Sequence, residues 1–181
     1  MTVLVAYASA LGSSREIAQR IASRMAATLD GVECRSVEEV ESVSGYEAVV
    51  VGGAIHNQAW LPAALLFFTR HAPELAKRPV WVFNVGMADA LPKPFRKRAA
   101  ALQQGRLAGA LPQNVPLRGH EIFSGVYKEE QMPASLRVVF RLAGGRFGDL
   151  RDWAAIDAWA DEITAELTKP ASPTSPGSAT A

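Results

Sequence analysis

Cysteine is nearly missing from this chain. Cys34 stands alone, so no internal disulfide can form, and without a CxxC or Cys/His spacing there is no zinc-ligand pattern. A reducing compartment suits such a sequence. Long apolar runs are missing too. The best candidate, AALLFF, is bracketed by Pro62 and Arg70 and falls short of the roughly 18 residues a membrane-spanning helix needs. The first residues run straight into a strand pattern without a basic leader or cleavage site, so a cytoplasmic protein is expected. Net charge is only +1, which points to no nucleic-acid partner. Charge is unevenly placed all the same. Acids crowd Glu33 to Glu47, whereas Lys93, Arg96, Lys97, Arg98 and Arg106 form a stretch with no acid, read first as a solvated helix face.

With 181 residues and 49% hydrophobic content, the chain is long enough for one domain with a sheet covered on both faces. Apolar runs punctuated by glycine alternate with segments of helical period, the pattern of repeated βα units and a parallel sheet. TVLVAYA reads as the first strand, VECRSV as the second, YEAVVVGG as the third, PVWVFNVG as the fourth and HEIFSGVY as the fifth. Unbroken valines in the third imply burial on both faces. After the first strand, Ile17, Ile21, Met25 and Leu29 recur at four-residue spacing and predict a helix; Ser13 and Glu16 at its start fit a capping box. Further helices are expected from about Pro62 to His71 and over Lys93 to Gln104, with an irregular connection from Gly105 to Gly119. A final helix should be capped by Asp152 and carry Trp153, Ile156, Ala160, Ile163 and Leu167 on one face.

Between the fifth strand and that helix lies LRVVFRLAGG, where Leu136, Val139 and Phe140 share one helix face and Arg137 and Arg141 another. The domain is expected to span 1–168. The tail 169–181, rich in Pro, Ser, Thr, Ala and Gly, offers too little apolar surface to offset its ordering entropy and is expected to be disordered.

In an open parallel sheet the ligand sits beyond the carboxyl ends of the strands. The loops to inspect therefore begin at Ser9, Gly53 and Gly86. The first, formed by Ser9, Ala10, Leu11, Gly12, Ser13 and Ser14, offers hydroxyls, a glycine and a helix N-terminus with positive partial charge, a good receptor for a phosphate dianion. Other phosphate binders fail on the same residues. A dinucleotide site wants GxGxxG here and an acid at the end of the second strand, and only Gly12 is present; a Walker loop wants a lysine, and none occurs before Lys77. A monoester phosphate held without an evident metal makes FMN the expected cofactor. Serines at the end of the first strand also leave no carboxylate set for a receiver domain. A serine-rich turn with no ligand is the bland alternative.

Tyr7, Ser9, Gly12, Ser13 and Ser14 follow Y-x-S-x-x-G-S-S, which resembles the phosphate loop of the flavodoxin family; that loop often carries a hydroxyl where this chain has Leu11. The resemblance implies an α/β flavodoxin-like three-layer sandwich, a five-stranded parallel sheet of order 2-1-3-4-5 with helices on both faces. It also implies that the loops after the third and fourth strands flank the isoalloxazine. Those loops bring Ala54, Ile55, His56 and Asn57, with Trp60 beyond, and Val85, Gly86, Met87, Ala88 and Asp89. Trp60 suits helix core as well as a flavin stack, and His71 and His120 are read as structural.

VVVGGAIHNQAWLPAALLFF, EIFSGVYKEE, LRVVFRLAGG and DLRDWAAIDAWADEI together resemble the bacterial menaquinone-dependent protoporphyrinogen oxidases and their flavodoxin-domain relatives, from Val3 to about Leu167. In that family a basic, apolar insertion before the last helix is implicated in activity and membrane association. Its counterpart here, Tyr127 to Phe147, is shorter. The resemblance implies an FMN-dependent oxidoreductase that passes electrons from a reduced small-molecule substrate, a porphyrinogen, to a quinone, in peripheral contact with the inner face of the membrane. Basic residues near the ring would stabilise an anionic reduced flavin. The residues name no acid–base catalyst and no metal ligand. An electron carrier of flavodoxin type, docking on a partner oxidoreductase, is the competing expectation; a flavin-free interaction domain on the same scaffold is a third.

Overall fold

The computed structural model describes residues 1–56, 58–86, 102, 104–131, 133–142 and 144–169. The expected basic helix falls mostly outside that set, as do Asn57, Met87, Ala88, Asp89 and the tail from residue 170. Among the described residues no helix is long and apolar enough to cross a membrane.

A parallel sheet forms the centre. Its strands are β1 (Thr2–Ala8), β2 (Gly31–Ser36), β3 (Ala48–His56), β5 (Val80–Gly86) and β6 (Leu117–Ser124), hydrogen-bonded in the order β2-β1-β3-β5-β6, and the short β4 (Ala59–Trp60) folds back on β3. This is the expected five-strand order, with one ribbon strand added. Helices α1 (Ser13–Ala26), α2 (Pro62–Leu75) and α4 (Trp153–Thr168) cover the faces, and residues 104–109 are helical. A smaller unit, β7 (Val126–Tyr127), α3 (Ala134–Leu142) and β8 (Gly148–Asp149), lies between β6 and α4; β7 pairs antiparallel with β8.

Period-two alternation along buried strands splits the core in two. On one face, Val3, Val5, Val50, Trp81 and Phe83 meet Ile17, Ile21 and Met25 of α1 and Ile156, Trp159 and Ile163 of α4. On the opposite face, Leu4, Val49, Val51 and Val82 meet Ala64, Phe67, Phe68 and Leu75 of α2, with Leu107 and Leu111. The segment expected to be an irregular connection therefore supplies core. Leu107 is buried and its carbonyl accepts the Trp60 indole N–H at 3.0 Å. That bond, together with the edge-on contact of Trp60 with Phe68 at 5.6 Å, makes Trp60 a core residue.

Two bidentate ion pairs tie α1 to α4. Arg20 donates to Asp157 at 2.7 and 2.5 Å, and Arg24 donates to Asp161 at 2.7 Å through both nitrogens. Both pairs are exposed, so they set the register of the two helices more than they add stability.

Candidate functional site at the head of the first helix

The order in which successive strands are laid down reverses at β1, because β2 flanks it on one side and β3 on the other while all three run parallel. A crevice therefore opens beyond the carboxyl ends of these strands. Register places the expected loops side by side there: Ala8 lies opposite Gly53, Ala54 opposite Val85, and Gly86 opposite Ser124.

The turn from β1 into α1 is built around Gly12, whose φ of 95° lies in the left-handed region that a side chain rarely adopts. Ser9 Oγ accepts the Gly12 N–H at 3.0 Å and closes the turn. The capping box expected from Ser13 and Glu16 does not form. Gly12 is the N-cap and no side chain caps the helix; Ser13 is already helical, and its Oγ accepts the Val126 N–H at 3.4 Å. Glu16 instead reaches Arg151, a residue far along the chain. The first internal bond of α1 runs from Glu16 N–H to Gly12 carbonyl at 3.0 Å, so the amides ahead of it have no partner within the helix.

One further atom bears on what this turn holds. Ser14 is 1% exposed, and its hydroxyl has no hydrogen-bond partner among the described residues. A buried hydroxyl without a partner costs about 1–3 kcal/mol, a cost that an incoming acceptor would remove. Leu11, at the outer edge of the turn, is 77% exposed and fills nothing. An uncapped helix head, a left-handed glycine, serine hydroxyls and an unpartnered buried Oγ suit an anion carrying several oxygens.

The flanking segments differ from simple loops. β3 continues to His56, and Gln58, at φ 62°, turns the chain back so that Ile55 pairs with Trp60 and His56 with Ala59. Ala54 and Ile55 are half-buried, and His56 is exposed at the tip. Val85 is core, so what it offers the crevice is backbone; Gly86 ends the strand half-buried.

Behind the crevice runs a buried polar chain. Asn84 is fully buried; its amide nitrogen donates to the Gly53 carbonyl at 3.3 Å, and its oxygen lies 2.7 Å from His120 Nε2. That oxygen needs a donor, so His120 carries its proton on Nε2, and burial pushes its pKa down to about 4. His120 is thus structural, as expected, and so is His71, packed 4.8 Å from Phe67. Cys34 is half-buried and its thiol is pushed up to about 11 by burial, which leaves it protonated and unreactive.

Sequence reasoning missed the residues after β6 that clasp the crevice. Gly125 donates to the Gly86 carbonyl at 3.1 Å and accepts from Leu150 N–H at 3.2 Å. A methyl on Gly125 would lie 2.8 Å from Val85 Cγ1 and 3.5 Å from Ser13 Cβ, so the approach requires glycine. β7, β8 and Arg151 therefore brace α1 from outside. Nothing local marks them; only the contacts between distant segments do.

Comparison with known proteins agrees with the fold. The model of a family described as a flavodoxin domain matches residues 4–142. Flavodoxin 1 from Bacillus cereus is similar in structure, at 16% identity and a TM-score of 0.55, over 93% of this chain and 100% of that one. So is the Fusobacterium nucleatum flavodoxin solved with flavin mononucleotide, at 14% identity and 0.53, over 91% and 98%. The rubredoxin:oxygen oxidoreductase of Desulfovibrio gigas matches at 14% identity and 0.51, over 93% of this chain and 37% of that larger one. No curated protein sequence matches the chain.

Proposed function

Since the chain belongs to the flavodoxin domain family, we propose that it binds FMN at the head of α1 and works as an electron-transfer flavoprotein that docks on a partner oxidoreductase. The observation that carries this reading is the open head of α1 itself: Gly12 left-handed, no side-chain cap, and the Ser14 hydroxyl buried without a partner. The amides of the turn and the hydroxyls of Ser9, Ser13 and Ser14 would hold the phosphate. Bound there, FMN supplies reversible one- and two-electron chemistry. Ala54, Ile55 and His56, with Val85 and Gly86, would border the ring, and Asn84 and His120 hold the Gly53 carbonyl behind it.

Two comparisons support an electron carrier: the family match, and the similarity to flavodoxins over nearly their whole length. The test is to purify the protein, identify its chromophore, reduce it, and follow reoxidation by a flavodoxin-type reductase against menadione. Rapid exchange with the reductase that slows as salt is raised is the expected result, since charged docking is screened. A colourless protein that takes up no FMN, or exchange with the quinone alone, contradicts it.

One observation favours the second reading, a quinone-linked oxidoreductase acting on a porphyrinogen at the membrane. α3 presents Leu136, Val138, Val139 and Leu142 to solvent beside Arg137 and Arg141, a surface suited to an apolar, anionic environment. Menaquinone reduction by holoprotein supplied with protoporphyrinogen is expected under that reading, and no turnover beyond the free-flavin rate rejects it.

A further inference from the structure

A carboxylate stands where a phosphate receptor should least tolerate one. Glu16 lies in the first turn of α1, and a methyl placed on Gly12 would sit 3.8 Å from its Oε1. In an empty helix head an acid there complements the dipole. Beside a bound dianion it repels.

Arg151 answers that charge. Its Nη1 donates to Glu16 Oε2, while Nε and Nη2 grip Asp149 at 2.8 and 2.6 Å. Its own backbone N–H also donates to Asp149 Oδ1 at 3.1 Å, and the guanidinium lies 4.6 Å from the Trp153 ring. The side chain is 11% exposed, so it is held on every side. Asp149 belongs to β8, whose partner β7 gives the Val126 N–H to Ser13. One rigid ribbon therefore touches the helix head at Ser13 and at Glu16.

We infer that Arg151 is a positioning residue for the phosphate turn: it holds the Glu16 carboxylate to one side and offsets part of its charge, and so sets the preference for a phosphorylated flavin over an unphosphorylated one. The inference rests on FMN binding at this turn. A merely structural ion pair, bracing α1 against the start of α4, would affect both flavins alike.

The experiment titrates apo-protein with FMN and with riboflavin, by flavin fluorescence at low salt, for wild type, Arg151→Met, Glu16→Gln and the double variant. Arg151→Met is expected to weaken FMN about tenfold with riboflavin nearly unchanged. The double variant should recover most of that loss, because the carboxylate in the first turn of α1 is gone and the one left unpaired, Asp149, lies on β8. Glu16→Gln alone should tighten FMN roughly threefold, because the carboxylate that repels the phosphate is gone while Asp149 keeps Arg151 in place; this arm decides the matter if Arg151→Met does not fold. Equal loss of both flavins in Arg151→Met, no recovery in the double variant, or unchanged FMN affinity in Glu16→Gln overturns the role of Arg151. A wild type that binds neither flavin overturns the FMN reading itself, and is told apart because every variant then fails with it.

Discussion

Two amphipathic helices of this protein, α1 and α3, have the same kind of sequence pattern and opposite fates. In α1 the apolar stripe of Ile17, Ala18, Ile21 and Met25 is wholly buried against the sheet and α4. In α3 no residue is buried; Leu142 is 83% exposed and Val139 61%, while Phe140 packs on Tyr127 and Phe147 at 5.9 and 5.0 Å and Arg141 donates to Glu129. Periodicity states which face of a helix is apolar and leaves open what covers it. Topology supplies the cover. A helix that crosses between parallel strands must lie on the sheet, whereas α3 hangs on a two-strand ribbon too small to offer a face. The packed helix thus has its head fixed on the sheet, where the proposed phosphate site lies, and the open one keeps its apolar face in solvent.

The contrast is broken most forcefully at Ile21, which is fully buried. Ile21→Ala should cost about 2–5 kcal/mol in denaturant unfolding. Next in size comes a pH effect in the packed region. Folded His120 has a pKa near 4 against an ordinary 6.5, so between those values the unfolded chain takes up a proton that the folded chain does not. Stability should be full above pH 6.5, decline as pH falls to about 4, and decline less in His120→Gln, as thermal melts across that range would register. Below that window the carboxylates paired with arginine, such as Asp149, take over. At the helix head, Gly12→Ala forces a side chain into φ 95° and should cost about 1–2 kcal/mol, with a parallel loss of FMN affinity in the same preparation. Smallest of all, Val139→Ser on α3 should shift stability by no more than about 0.5 kcal/mol, while slowing electron exchange with a partner if α3 is the docking face. A large destabilisation there would show that α3 is covered in solution and that the contrast with α1 is false.

What could be read from sequence follows the same division. The strands were legible because β1, β3 and β5 are buried on both faces and run as unbroken valines and aromatics. The turn from β1 into α1 was legible because its parts, Ser9 through Ser14, are contiguous, and the Asp152 cap, which accepts Ala155 N–H at 3.0 Å, because capping is local. Three features were not. Glu16 was assigned to Ser13 at three residues' distance, yet its partner Arg151 lies on another element, and sequence separation hides such pairs. The return of β3 into β4 depends on Gln58 taking a positive φ, which no glycine announces. Residues 104–109 have no capping signal, and their place in the core is set by Leu107 meeting Trp60.

The central claim, that the head of α1 receives a flavin phosphate, is tested most directly by amide resonances. Adding FMN to uniformly ¹⁵N-labelled apo-protein should move the N–H signals of Leu11 to Arg15 furthest, and downfield, as each gains a charged acceptor. Large shifts confined to other elements, with those of Leu11 to Arg15 unmoved at saturating FMN, would contradict it.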